Sequence, residues 1–275
     1  MSVSGTLRRT ARYLSTQFAR LRGVRRVRLY CVGTAKSGTH SIAAMFGGSV
    51  RARHEADNRR DIREILEVAA GRVDRDRMKR YVRRRDRRLY LDIDSSQVNF
   101  FMLDALLTEF PGARFLLTIR DPYSWLDSII NDSLRRPSNR SWTDFRNFCF
   151  RSDIFSHPPE ELALAEHGLY TLDGYLSYWA AHNQKVLSDV PEDRLLTVRT
   201  DRITDRVHEI AEFAGLPPAV IELEKSHAFR NPRKFGLLFQ VDRDHLEKRV
   251  RHHCRPLMER FFPEVRSMED SSVRQ

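Results

Sequence analysis

Apolar residues recur along this chain in two alternating rhythms, one suited to short buried strands and one to helices with a single apolar side. Residues 27–32 (Val-Arg-Leu-Tyr-Cys-Val) read as a strand, residues 33–39 as a tight loop with two glycines, and residues 41–46 as the opening of a helix. Segments 59–70 and 72–85 have helical spacing with one polar side. Residues 88–93 read as a second strand, and 98–110 as a helix stopped by Pro111 and Gly112. Residues 113–119 are almost continuously apolar, the mark of a strand covered on both faces of a parallel sheet. Arg120-Asp-Pro122 ends that run, and 123–135 return as a helix. Residues 136–168 read as irregular and polar, 169–187 as a helix and 194–198 as a strand. A helix over 205–214 stops at Gly215 and Pro217, and 244–262 close the pattern as an amphipathic helix.

Strand, loop and helix in repetition predict an α/β fold, a parallel sheet flanked by helices, with ligands at the carboxyl ends of the strands. The expected organisation is a basic helical extension over 1–26, one domain over 27–265 and a polar tail over 266–275. Leu7, Ala11, Leu14, Phe18 and Leu21 give the extension an apolar stripe. It reads first as a helix packed on the body, and second as a peripheral contact with an anionic membrane surface.

Composition narrows the function classes. No run approaches the roughly 18 apolar residues of a membrane span, and no signal peptide is visible, so a cytoplasmic location is expected. Cys31, Cys149 and Cys254 are scattered and lack metal-ligand spacing. The net charge of +11 invites nucleic acid, an anionic surface or an anionic small ligand. The densest basic stretch, residues 75–88, is interleaved with Asp76 and Asp86 and is poor in aromatics for stacking bases, so no nucleic-acid partner is expected.

Chemistry gathers at two strand ends. The loop Gly33-Thr-Ala-Lys-Ser-Gly-Thr-His-Ser41 offers backbone N–H groups at a helix start, the charge of Lys36, and the hydroxyls of Ser37, Thr39 and Ser41. That is an anion site. It is not a Walker loop, because Lys36 precedes Gly38 instead of following it. Arg120 stands at the end of the buried strand, with Ser128 eight residues on, and this pair suits a second phosphate. Asp121 and Pro122 serve the following helix as cap and first turn.

These motifs, with Tyr175–Leu187, Asp193–Asp201 and Ile210–Pro217 in order behind them, resemble the sulfotransferases that use 3′-phosphoadenosine 5′-phosphosulfate (PAPS). The resemblance covers roughly residues 27–262 and implies a P-loop-like sulfotransferase fold. It implies in-line transfer of a sulfuryl group, with PAPS as co-substrate and no metal. Lys36 would stabilise the leaving phosphate. Ser37, Gly38, Thr39, His40 and Ser41 would cradle the 5′-phosphate, and Arg120 and Ser128 would hold the 3′-phosphate. Residues 231–236 resemble the family's late basic loop, with Arg233 and Lys234 as contacts. The acceptor would be a hydroxyl, or less often an amine, of a small molecule, a carbohydrate or a lipid, lined by residues 137–170 and the segment after Glu55. Two departures stand out: Thr200 occupies a position where the family often has an aromatic near adenine, and His40 replaces the usual threonine. Members of that family take the acceptor proton with a histidine at the end of the second strand, absent here, or with a glutamate about twenty residues after the loop lysine. The resemblance therefore ranks Glu55, nineteen residues after Lys36, first as general base, ahead of His54 and Asp94. The alternatives weighed are a P-loop kinase-like phosphotransferase, and a basic adaptor binding nucleic acid or a membrane through residues 1–26.

Overall fold

The computed structural model describes residues 25–135, 139–226 and 234–273. The described strands are β1 (Leu29–Cys31), β2 (Ala52–His54), β3 (Ile93–Ser95), β4 (Arg114–Ile119) and β5 (Leu195–Arg199), and they form one parallel sheet in the order β2-β3-β1-β4-β5. β1 lies in the middle, with Leu29 in register with Ile93 on one side and Arg114 on the other. The chain builds one half of the sheet, then crosses over to build the second half. In open parallel sheets that reversal leaves a crevice at the carboxyl ends of the central strands.

Successive side chains of a strand point to opposite faces. Tyr30, Val32, Phe115, Leu117 and Ile119 accordingly join one apolar cluster, while Leu29, Cys31, Ile93, Leu116 and Val198 join another. Helices α1 (Thr39–Phe46) and α9 (Val207–Ala214) cover the second face. The first face is covered by α2 (Asn58–Ala69), α3 (Arg75–Leu89), α4 (Leu103–Glu109), α5 (Pro122–Arg135), α6 (Arg140–Phe150), α7 (Leu162–Glu166), α8 (Leu172–Asp189) and α10 (Arg243–Phe261). Burial on both sides explains why residues 113–119 carry no polar alternation.

The structure differs from the sequence expectations at four places. β2 is a strand where none was expected. Helices α6 and α7 occupy parts of the stretch read as irregular, α6 burying Phe145, Cys149 and Phe150. Helix α3 runs on to Leu89 and stops where Tyr90 turns left-handed (φ 48°), so the second strand expected in the sequence starts only at Ile93. The expected polar tail is docked: Met268, Ser271 and Val273 are buried, and the Ser271 hydroxyl donates to Asp121 Oδ1 at 2.7 Å. Most of the expected N-terminal extension, residues 1–24, lies outside the described residues. Among the described helices none is long and apolar enough to cross a membrane.

One buried ion cluster ties three elements together. Arg85 of α3 is 3% exposed, and its guanidinium grips both carboxylate oxygens of Asp61 in α2 at 2.7 and 3.0 Å. It also donates to Asp94 in β3, while the Tyr81 hydroxyl donates to Asp61 at 2.6 Å. Burying such charges is costly, and removing one member leaves the others uncompensated. Arg85→Ala should therefore destabilise the fold by about 3–5 kcal/mol at neutral pH in urea denaturation. The deficit should shrink as pH falls, because Asp61, whose carboxyl burial already raises beside its cation, then takes up a proton.

Candidate active site

The loop after β1 is shaped by what it lacks as much as by what it carries. A side-chain carbon at Gly33 would fall 2.1 Å from Thr118 Oγ1 and 2.5 Å from Ser37 Oγ, so only glycine lets the loop lie this close to β4. Lys36 (φ 64°) and Gly38 (φ 104°) both adopt left-handed backbone and reverse the chain into α1. The N–H groups of Thr39, His40 and Ser41 form the first turn of α1, where no intrahelical acceptor exists.

Three consecutive carbonyls of this loop are held from behind by three different elements. Trp125 Nε1 of α5 donates to Ala35 O at 2.8 Å. Arg120 Nη1, at the end of β4, donates to Lys36 O at 3.2 Å. Thr200 Oγ1, just past β5, lies 2.6 Å from Ser37 O and 3.1 Å from Ile119 O. With these three carbonyls held, and Ser37 N–H donating to Thr34 O at 3.3 Å, the loop is fixed just ahead of the helix start. A helix start presented in this way can receive an anion.

The loop hydroxyls divide. Ser37 Oγ donates to Thr34 O at 2.7 Å and lies 2.9 Å from Thr118 Oγ1, so it faces the interior and supplies no donor to a ligand. Thr39 Oγ1 sits 3.3 Å from His54 Nε2, and the Ser41 hydroxyl bonds to no other described residue. Lys36 Nζ lies 3.2 Å from Asp132 Oδ1 of α5.

Arg120, the second cation expected at a strand end, stands beside this loop. Burial pulls the Arg120 guanidinium pKa down, opposed by Asp121, Asp127 and Asp201. Its Nε donates to Ser124 Oγ at 2.9 Å, and its carbonyl accepts from Trp179 Nε1 at 3.1 Å. Ser128 lies one turn beyond Ser124 on α5, buried and bonded to no other described residue. Lys234 comes to this place but donates to Asp127, while Phe235 N–H donates to Asn131 Oδ1 at 2.7 Å. These two contacts pin the late segment on either side of Ser128. Arg233 lies outside the described residues.

At the ends of β2 and β3 the base candidates separate. Glu55 turns left-handed (φ 48°) directly after β2, with its N–H on Ser95 O at 3.1 Å. Gln97 Nε2 donates to Glu55 Oε1 at 3.1 Å, and Asn58 Nδ2 reaches Oε2 at 3.5 Å. Burial raises the Glu55 carboxyl above its ordinary value, against Gln97, Asn58 and His40, while Asp132 adds to the rise. Burial pulls His54 down to about 4, Asp94 opposing and Lys36 assisting, so its imidazole is neutral and weakly basic at neutral pH. The His54 ring stacks on His40 at 4.3 Å. Asp94 is buried against Arg85 and committed to that ion pair. Of the three candidates, Glu55 has a carboxyl raised by burial and held by the neutral amides of Gln97 and Asn58.

Sequence reasoning missed Trp125, Gln97 and Asp132, and read Thr200 only as an absent aromatic. Asp132 carried a signal, since it stands one helical turn after Ser128 and shares its face. The other three act through contacts that no local spacing encodes.

A family model described as a sulfotransferase domain matches residues 28–217, more than half of the chain. The chain is 32% identical over 120 residues to the Ava biosynthesis cluster protein M of Aspergillus versicolor. That match covers 41% of this chain and 46% of the relative, so the chain spans less than half the length of the curated relative it matches. Among solved structures, a sulfotransferase from Alicyclobacillus acidocaldarius is 17% identical, with a TM-score of 0.48 over 86% of this chain and 96% of that one. A sulfotransferase from Mycobacterium avium is 13% identical, with a TM-score of 0.46 over 91% of this chain and 80% of that one.

The Thr200 grip is open to a direct test. Thr200→Val removes a partner from the Ser37 and Ile119 carbonyls and should cost about 1–3 kcal/mol of stability. Thr200→Ser keeps the hydroxyl and should recover most of that loss, as read from denaturation midpoints.

Proposed function

The chain belongs to the sulfotransferase family, and we propose that it draws its sulfuryl group from PAPS and delivers it to a hydroxyl of a small-molecule, carbohydrate or lipid acceptor. The observation that carries this reading is the pairing of two cationic grips through one side chain. Arg120 reaches back to the Lys36 carbonyl at 3.2 Å while the helix that follows it offers Ser128. A nucleotide with a phosphate at each end of its ribose has two such groups to be held.

In this reading the N–H groups of Thr39, His40 and Ser41, with the Ser41 hydroxyl, hold the 5′-phosphate. Arg120 and Ser128 hold the 3′-phosphate. Lys234 would have to leave Asp127 to join them. Lys36 stabilises the charge that develops on the leaving phosphate oxygen. Glu55 takes the proton of the acceptor hydroxyl as the acceptor oxygen bonds to sulfur. The bond between sulfur and the phosphate oxygen breaks, leaving adenosine 3′,5′-bisphosphate and a sulfated acceptor.

Gln97 and Asn58 fix the carboxylate of Glu55 before an acceptor arrives, which favours a base with set geometry. Neither the neutral His54 nor the paired Asp94 suits that role as well. Thr200 has spent its hydroxyl on the loop, so adenine must be held by other side chains.

Calorimetry with adenosine 3′,5′-bisphosphate, without magnesium, tests the donor assignment. Binding is expected, and Lys36→Ala and Arg120→Ala should each lose about 1.5–3 kcal/mol of it. Unchanged affinity in both variants would sink the assignment. Labelled PAPS given to extracts should yield an acceptor heavier by one sulfuryl group.

Glu55→Gln should lower kcat by about 10²–10⁴-fold while leaving bisphosphate affinity intact. Glu55 acts only when deprotonated, so turnover should rise with pH through its pKa. Burial sets that rise above the ordinary glutamate value of about 4.3, and Glu55→Gln should flatten it.

A further inference from the structure

Lys36 already has an anionic partner in this structure. Its Nζ lies 3.2 Å from Asp132 Oδ1, with both side chains half-buried. Asp132 stands one turn beyond Ser128 on α5, so its position is fixed by the helix that carries the second phosphate pocket. The same oxygen is 3.4 Å from Arg135 Nη2, which gives Asp132 a second cation if the lysine departs. Asp132 also lies near enough to Glu55 for its charge to push that carboxyl upward.

We propose that Asp132 is an internal counter-ion for Lys36, one that the incoming donor displaces, and that it thereby acts as a positioning residue of the transfer site. The inference rests on the donor reading above. With no nucleotide present, the carboxylate supplies a counter-charge to the half-buried ammonium. When a 5′-phosphate enters the cradle, Lys36 exchanges one anionic oxygen for another and Asp132 keeps Arg135. The exchange consumes part of the donor's affinity, because a pair must break before the new contact forms. It also leaves the lysine extended along a defined direction, since its partner is mounted on a rigid helix and not on a loop.

Simple repulsion between Asp132 and the donor's phosphates would weaken binding too, so removing Asp132 alone does not separate the two causes. A double-mutant cycle does. Adenosine 3′,5′-bisphosphate affinity is measured by calorimetry for the wild type, Asp132→Asn, Lys36→Ala and the double variant, with thermal melts as a check on folding. If Asp132 competes for Lys36, Asp132→Asn should tighten binding by roughly 2- to 5-fold, the range expected for a partly exposed ion pair. That gain should vanish in the Lys36→Ala background.

A gain of equal size in both backgrounds assigns the effect to plain repulsion and overturns the inference. Unchanged affinity in Asp132→Asn overturns it as well. Asp132→Glu, which retains the carboxylate, should stay within twofold of the wild type; a gain matching that of Asp132→Asn would count against the exchange. Should the wild type fail to bind the nucleotide at all, the donor reading falls and this inference falls with it. Normal wild-type binding with no coupling defeats the inference alone.

Discussion

The site depends on a backbone loop whose polarity has been sorted. Peptide units carry a donor and an acceptor at opposite ends, and a loop that wraps an anion must keep its acceptors away from it. Here the sorting is enforced from outside, by an indole, a guanidinium and a hydroxyl delivered from α5, the end of β4 and the segment after β5. Each donor is itself anchored. Trp125 is fully buried, Thr200 also reaches Ile119, and Arg120 is braced by Ser124. The sheet sets the spacing of these supports, so the fold and the cradle are one object.

Arg120 therefore has two tasks. It holds a loop carbonyl through Nη1 and braces Ser124 through Nε, and in the proposed reading its remaining donors serve the 3′-phosphate. Its carbonyl is in turn fixed by Trp179 of α8, which extends the chain of support into the largest part of the core. Acidic residues of α5 balance this concentration of positive charge. Asp127 faces Lys234 and Asp132 faces Lys36, so the crevice stores its cations in pairs.

How much of this was legible depended on whether a contact is local. The strand over 114–119 announced itself because both of its faces are buried, and Lys36, Arg120 and Ser128 followed from motif spacing at strand ends. β2 was hidden because its three residues are only partly buried and obey no period; pairing with β3 makes the strand. The polar composition around α6 masked a helix that needs only Phe145, Cys149 and Phe150 on its inner side. Residues 88–93 alternate as a strand should, yet the helix before them outcompetes that pattern as far as Leu89. Thr200 read as the loss of an aromatic. In three dimensions it gains a contact 163 residues away in sequence.

The bare backbone at Gly33 bears on how such a chain can drift over generations. The gap between the loop and β4 is narrower than one methyl group, with Thr118 and Ser37 closing it. Even the smallest side chain would have to push the two layers apart, and every carbonyl grip would lengthen with them. Variation is thus channelled elsewhere, toward positions that take no part in closing the seam between strand and loop.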